Sequence, residues 1–175
     1  FSLSQIGYFG MALTLGFRPL NMISASLYQT FFQQTAERVN NRVSIVAFFK
    51  QFITKTLLIA VPVFVGLWFI LPWLTEWLLG AGWDATGELI RVMLPWLLLV
   101  FVGSSMGFIS DIFQKQKISF IIELVYLGLR TIALFVGIQT HNFRFTIIAY
   151  AIVGTVLFQV LWYFYLIRNY ERSLA

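Results

Sequence analysis

The sequence predicts an all-α integral membrane protein, a bundle of about five transmembrane helices. Hydrophobic residues make up 59% of the chain and charged residues 11%, whereas charged residues make up about a quarter of a soluble domain. Five apolar stretches each hold roughly 20 or more residues, the length that roughly 30 Å of hydrocarbon requires of a helix. They cover 7–32, 53–73, 92–113, 118–138 and 146–167.

Each of the first three stretches contains a proline, at Pro19, Pro62 and Pro95 in turn. Proline kinks a helix, and membrane proteins tolerate the kink when neighbouring helices satisfy the freed carbonyl group. Such kinks suit a transporter that rocks between two states, although static bundles carry them too. After the first stretch, the segment 33–49 carries apolar residues three or four positions apart, from Val39 to Phe49, with polar and charged residues between or before them. This spacing predicts either a short amphipathic helix on the inner leaflet or a cytoplasmic extension of the first span.

Small residues predict where the helices pack closely, and aromatic residues predict where they cross the membrane surface. The run Gly103-Ser104-Ser105-Met106-Gly107 predicts a face on which another helix approaches closely. Aromatic residues predict interfacial belts, the usual place of Trp and Tyr in membrane proteins. They are Trp73, Trp77, Trp83 and Trp96 on one side, and Trp162, Tyr163 and Tyr165 on the other.

The flanking cations predict which ends of the spans face the cytoplasm. One side carries eight, namely Arg38, Arg42, Lys50, Lys55, Lys115, Lys117, Arg168 and Arg172, and the other carries Arg91 and Arg144. Since the richer side is normally cytoplasmic, the N-terminus and the connection 75–91 are predicted outside and the C-terminus inside. An outer N-terminus without a targeting segment favours a fragment whose earlier spans are missing.

Composition excludes several classes of function. The net charge of +5 would suit nucleic acid, but the cations lie in short connections next to spans, as expected for loops that face anionic lipid. Cysteine is absent and His141 is the single histidine, so no metal site or redox motif is expected. No nucleophile elbow, clustered carboxylate pair or metal-ligand spacing appears. We therefore expect neither an enzyme nor a cofactor, and membrane lipids rather than nucleic acid as partners.

Polar groups within the predicted spans are the candidate site. Arg18 and Asn21 lie in the first span, and Glu123, Tyr126 and Arg130 form one stripe along the fourth. A charge at mid-bilayer costs roughly 2.5–3.5 kcal/mol, so these side chains must face the bundle interior or a wet cavity. Glu123 and Arg130 are two helical turns apart, about 10 Å, which is too far for a direct ion pair.

Two interpretations of these charges stay open. In one, a cationic cavity receives an anionic headgroup, because the planar fork of arginine can hold two phosphate oxygens at once. In the other, Glu123 pairs with Arg18 on a neighbouring helix for a purely structural purpose. Arg91, Asp111 and Lys55 lie near span ends and are expected at the interface.

Several segments resemble one family of membrane transporters. Residues 6–12 (IGYFGMA), continuing through Pro19 to 27–32 (LYQTFF), are similar to one span of bacterial polysaccharide (O-antigen type) flippases. Residues 78–87 (LLGAGWDATG) resemble a loop between two spans of that family, and 114–117 (QKQK) resemble its short basic turn. These flippases belong to the superfamily that holds the multidrug MATE exporters and the lipid II flippase.

The resemblance implies a protein of 12 to 14 spans in two lobes, with residues 1–175 as part of the C-terminal lobe, roughly spans eight to twelve. The N-terminal lobe of the same protein would then be a partner. In this family, span eight lines the central cavity and borders the portal through which the lipid tail protrudes, and Arg18 falls on it. The roles of Arg130 and Glu123 rest on the cost of burial alone.

Together these observations predict a flippase of the bacterial inner membrane. It would carry an undecaprenyl-diphosphate-linked oligosaccharide across the membrane by alternating access, with Arg18, Asn21, Tyr126 and Arg130 binding substrate. Glu123 is a candidate for coupling ion or proton movement. The alternatives are a multidrug or other small-molecule exporter of the same superfamily, a scaffold without transport, or a membrane-embedded glycosyltransferase. The last would need a large outer loop, and the longest here is 75–91.

Overall fold

The computed structural model describes residues 2–140, 142–153 and 157–174. Within these ranges the chain forms seven helices and no strand. The helices are α1 (Leu3–Asn40), α2 (Val46–Leu79), α3 (Asp84–Ser105), α4 (Phe108–Ile112), α5 (Gln116–Gln139), α6 (Phe143–Val153) and α7 (Leu157–Leu174). The predicted all-α membrane class is confirmed at this level.

Three of these helical segments are long and apolar enough to cross a membrane, Val46–Leu79, Asp84–Ile112 and Gln116–Gln139. They match the second, third and fourth predicted spans. The first predicted span is a continuous helix inside α1, but its polar residues leave it short of the apolar character of the other three. The fifth falls on α6, on α7 and on residues 154–156, which lie outside the described residues.

α1 begins and ends at defined caps. The Ser2 side chain accepts from the Gln5 backbone N–H, and the Gln5 side chain accepts from the Ser2 N–H, so the first turn is capped reciprocally. The helix then runs unbroken for 38 residues to Asn40. The separate amphipathic helix on the inner leaflet is therefore wrong for residues 33–40, which extend α1 instead. A turn at residues 41–45 leads into α2.

The outer connection is much shorter than predicted. α2 continues to Leu79 and α3 starts at Asp84, so most of the predicted loop 75–91 is helical. Gly80 and Gly82 have φ values of 96° and 93°, a region that glycine enters without steric cost. These two glycines let the chain reverse within four residues, 80–83.

The third predicted span is interrupted near its inner end. The chain leaves α3 after Ser105 and resumes helix at Phe108, so the break falls on the run of small residues. A Cβ added at Gly107 would lie 3.8 Å from the Tyr28 ring. The run of small residues thus lies at a break in the helix rather than along a continuous helix face, and a methyl group at Gly107 would make an ordinary contact with α1.

α3 is the central helix of the fold. α1, α2 and α6 pack against it, and its apolar face forms the core with residues such as Met93 and Leu97. A second apolar cluster lies at the far end, where Phe52 of α2, Phe108 of α4 and Tyr163 of α7 meet. α2 and α5 present mostly apolar side chains outward, which is typical of surfaces that face lipid.

The predicted inner and outer connections gather at opposite ends of the bundle. At one end, Glu171 accepts from the Ser44 hydroxyl at 3.0 Å and the Ile45 N–H at 2.8 Å. At the other end, Tyr8 packs edge-on against Trp83, with ring centroids 5.6 Å apart. The alternation of the connections agrees with the prediction, while the assignment of one end to the cytoplasm stays a prediction.

Candidate functional site

Arg18 and Asn21 lie on the exposed face of α1. Gly16 and Ala12 define the opposite face, where a Cβ at Gly16 would contact the Leu97 side chain of α3 at 3.0 Å. Arg18 and Asn21 are three residues apart and therefore neighbours on the helix surface. Because both side chains point away from the packed core, they are available to a ligand or to another part of a larger assembly.

An apolar crevice lies beside Arg18. α1 and α2 both pack on α3, and a cavity of about 280 Å³ separates them. Its walls include Gly16 and Pro19 of α1, Phe64 and Leu71 of α2, and Leu94 of α3. A charged side chain on the helix surface thus adjoins an apolar space of the size of a small ligand pocket.

A shallow, open cavity with several polar side chains in its lining lies on the other side of Arg18, along α1. It measures about 350 Å³ and is lined by Asn21, Ser24, Ala25, Tyr28, Gln29 and Ser104. Asn21 is one helical turn from Arg18, so the guanidinium and this cavity share one face of the helix. We call it the α1 polar cavity.

Arg130 is enclosed by three aromatic rings. Its guanidinium carbon lies 5.8 Å from the Trp96 ring of α3, 5.9 Å from Tyr126 of α5 and 5.7 Å from Tyr150 of α6. Trp96 and Tyr126 are only 3% and 2% exposed. A cation near an aromatic face gains about 0.5–2 kcal/mol, more where water is excluded. This cluster, the aromatic cage, holds the positive charge of Arg130 within the bundle.

The aromatic cage corrects the role predicted for Trp96. Trp96 was expected in the outer interfacial belt, but its ring packs edge-on against Tyr150 at 5.6 Å and Phe17 at 5.3 Å. Tyr163, expected in the inner belt, is likewise 2% exposed. Trp96 lies four residues inside the third apolar stretch rather than at its end. That position was the signal in the sequence for a buried ring.

The three residues of the predicted stripe on α5 lie in different environments. Glu123 is exposed, Tyr126 is buried and Arg130 is half-buried. The described residues form an ion pair between Arg91 and Glu88 at 3.2 Å, and none joins Arg18 to Glu123. The structural Arg18–Glu123 pair is therefore not present in the described part of the chain.

Asp111 has a partner that the sequence did not suggest. The Tyr28 hydroxyl of α1 donates a hydrogen bond to Asp111 Oδ2 of α4. Next to it, the Ser110 and Ser119 hydroxyls are 2.6 Å apart and connect α4 to α5. Asp111 is half-buried in this junction, so it is a link between helices rather than a free interfacial carboxylate.

Comparison with known proteins identifies the family. Residues 1–88 match the family model described as polysaccharide biosynthesis protein. The match covers half of the chain, and it includes α1, α2 and the start of α3. The chain belongs to this polysaccharide biosynthesis protein family. No curated protein and no solved structure matches it.

The region matched by the family model contains one part of the candidate site and not the other. Arg18 and Asn21 lie within the matched region, whereas Glu123, Tyr126 and Arg130 lie beyond it. With three helices able to cross a membrane, the chain is a membrane protein of the polysaccharide biosynthesis family. Its role in polysaccharide synthesis or export is the starting point for a more specific function.

Proposed function

We propose that this polysaccharide biosynthesis protein is part of a flippase for an undecaprenyl-diphosphate-linked oligosaccharide. The observation that carries the proposal is Arg18, a charged side chain on the exposed face of a helix in the middle of a predicted span. A charge at that depth costs roughly 2.5–3.5 kcal/mol against hydrocarbon. The face of α1 that carries Arg18 therefore meets water or an anionic group rather than lipid tails.

A diphosphate suits Arg18 in both charge and geometry. The planar guanidinium donates two parallel hydrogen bonds to neighbouring oxygens, and it stays charged at any physiological pH. In a low-dielectric cavity such a charge-assisted contact is about twice as strong as one between neutral groups. Arg18 would thus attract the anionic part of the substrate without any chemical step, so we propose a transporter and not an enzyme.

The apolar crevice supports a lipid as the substrate. Its wall of leucine and phenylalanine side chains, with Pro19 at the edge next to Arg18, suits a polyprenyl chain. Burial of apolar surface contributes about 25 cal/mol per Å². A lipid with an anionic headgroup would place its charge on Arg18 and its tail along α1 and α2, and its sugar would project into a wet cavity.

The remaining parts of the proposal follow from the resemblance. The chain would form part of the C-terminal lobe of a protein of 12 to 14 spans in a bacterial inner membrane, with its C-terminus in the cytoplasm. An N-terminal lobe of the same protein would face the exposed side of α1. Rocking of the two lobes would expose Arg18 to each side of the membrane in turn.

A small-molecule exporter or a scaffold without transport would use the same residues differently. An exporter of the same superfamily would not require the diphosphate contact, so loss of Arg18 would leave glycan export unchanged. A scaffold would show no dependence of export on Arg18 at constant protein level.

The decisive variants are Arg18→Ala and Arg18→Lys in the full-length protein. Loss of one charge-assisted contact corresponds to about 10- to 100-fold in binding, so we expect glycan export to fall by that order in Arg18→Ala. Arg18→Lys should recover part of the activity, because lysine keeps the charge but loses the fork. Surface glycan and membrane abundance are measured together. The matched control is Arg168→Ala, an exposed arginine outside the predicted spans. Normal export by Arg18→Ala would refute the proposal.

A further inference from the structure

The α1 polar cavity has a chemistry of its own. Its polar lining consists of two amides, Asn21 and Gln29, and the hydroxyls of Ser24, Tyr28 and Ser104. None of these groups is charged at neutral pH, and amides and hydroxyls can each donate and accept hydrogen bonds. The lining therefore matches a neutral ligand that is itself rich in hydroxyl groups.

Ser24 lines the α1 polar cavity and is nearly buried. Ser24 is 5% exposed, and its hydroxyl has no hydrogen-bond partner among the described residues. Nearby on α1, by contrast, Ser26 donates to the Met22 carbonyl at 3.2 Å and Thr30 to the Ser26 carbonyl at 3.0 Å. Buried hydroxyls are nearly always satisfied, so a ligand hydroxyl that reached Ser24 from the cavity would supply a partner that the described residues do not.

The α1 polar cavity and Arg18 lie on the same face of α1. Asn21 and Gln29 are exposed along the same face of α1 as the arginine. Amide side chains facing hydrocarbon would lack hydrogen-bond partners, so this face meets water or a polar ligand. The Tyr28 hydroxyl donates to Asp111, which holds the ring in place, and its oxygen can still accept from a ligand.

We infer that the α1 polar cavity binds hydroxyl groups of the saccharide on the lipid-linked substrate, an inference that rests on the proposed flippase function. Arg18 takes the diphosphate, the apolar crevice takes the lipid tail, and Asn21, Ser24 and Gln29, spread over about 12 Å of α1, take successive parts of the saccharide. Contacts with the sugar would set which glycans the protein accepts, whereas Arg18 serves every substrate that carries the diphosphate.

The test compares two probes on the purified full-length protein in lipid nanodiscs. One probe is undecaprenyl diphosphate alone, and the other is the same lipid carrying the oligosaccharide assembled by the host cell. The variants are Asn21→Ala, Ser24→Ala and Gln29→Ala. Ser26→Ala and Thr30→Ala are the matched controls, because their hydroxyls bond back to their own helix outside the cavity. The ratio of the two dissociation constants is the readout, since it is insensitive to the folded fraction of each preparation.

We expect each cavity variant to weaken binding of the saccharide-bearing lipid by about three- to tenfold, as for the loss of a hydrogen bond between neutral groups. Binding of undecaprenyl diphosphate alone and both control variants should stay within about twofold of the wild type. An unchanged ratio in the cavity variants would overturn the inference. If Arg18→Ala still loses both probes in that case, the flippase function stands. A wild-type protein that binds neither probe would overturn both.

Discussion

At the residue scale, the main finding is that the two arginines within the predicted spans have different surroundings. Arg18 is exposed on α1, whereas Arg130 is half-buried among the rings of Trp96, Tyr126 and Tyr150. A ring face offers negative potential, so the aromatic cage stabilises the half-buried guanidinium of Arg130. The three rings are thus one physical reason why Arg130 can lie inside the bundle.

The aromatic cage predicts measurable coupling between Arg130 and Trp96. In a double-mutant cycle with Arg130→Met and Trp96→Leu, we expect a coupling energy of about 1 kcal/mol. Thermal unfolding of the full-length protein in detergent is the measurement. Trp96→Phe is the control, because it keeps a ring and should retain most of the coupling. Additive single effects would show that the rings pack near Arg130 without stabilising its charge.

At the element scale, close approach between helices depends on single glycines. Gly87 of α3 packs against α2 so tightly that an added Cβ would lie 2.6 Å from Pro72 Cα and 2.8 Å from the Leu71 carbonyl oxygen. Both contacts are with backbone atoms, which cannot rotate away. At Gly137 of α5 the contact is with a side chain, and an added Cβ would lie 2.6 Å from Thr146 Cβ of α6, an atom whose position is fixed by the backbone. The contacts α2–α3 and α5–α6 therefore require a residue without a side chain at these positions.

Substitution of Gly87 tests this packing. We expect Gly87→Ala to destabilise the full-length protein by about 1–3 kcal/mol, because the helices must separate to accept the methyl group. Gly66→Ala is the matched control, since no atom lies within 4 Å of its added Cβ. In a helix interior that change should be neutral or stabilising by up to about 1 kcal/mol. Equal melting temperatures for the two variants would contradict the close α2–α3 contact.

At the scale of the whole molecule, the bundle has two ends and two kinds of surface. The turn 80–83 and the start of α1 meet at one end, and the α1–α2 turn meets the C-terminal tail at the other. α2 and α5 present mainly apolar side chains outward, while α1 exposes Arg18, Asn21 and Gln29. In the proposed flippase, α1 would face a wet cavity, and α2 and α5 would face lipid.

The orientation of the two ends in the membrane is open to a labelling experiment. We predict that Ala81→Cys reacts with a membrane-impermeant thiol reagent from outside, and Ser173→Cys only after the membrane is opened, because eight of the ten flanking cations lie on the Ser173 side. Both positions are exposed, whereas Thr86, in the same predicted loop, is fully buried. Because these 175 residues contain no cysteine, the wild-type protein serves as the unlabelled control. Labelling of Ala81→Cys only from the cytoplasm would reverse the topology.

Sequence reasoning predicted the elements of this fold better than their surroundings. The apolar stretches 53–73 and 118–138 both lie within single helices, because length and hydropathy depend on the chain alone. The predicted loop 75–91 was too long, since charged residues such as Asp84 and Glu88 can occupy the first turns of a helix as readily as a loop. The break at 106–107 was also missed, because small residues promote both close packing and helix interruption.

For the candidate site, too, the sequence predicted which residues matter but not what surrounds them. The sequence by itself determined that the chain belongs in a membrane and that Arg18, Asn21, Glu123, Tyr126 and Arg130 are the polar groups that need an explanation there, because the cost of polar groups in hydrocarbon depends on residue type and depth. Only the tertiary structure decided that Arg130 sits among aromatic rings, that Tyr28 bonds Asp111 and that Ser24 lines a cavity. Those outcomes depend on which helices pack together and at what rotation, and hydropathy carries no information about either.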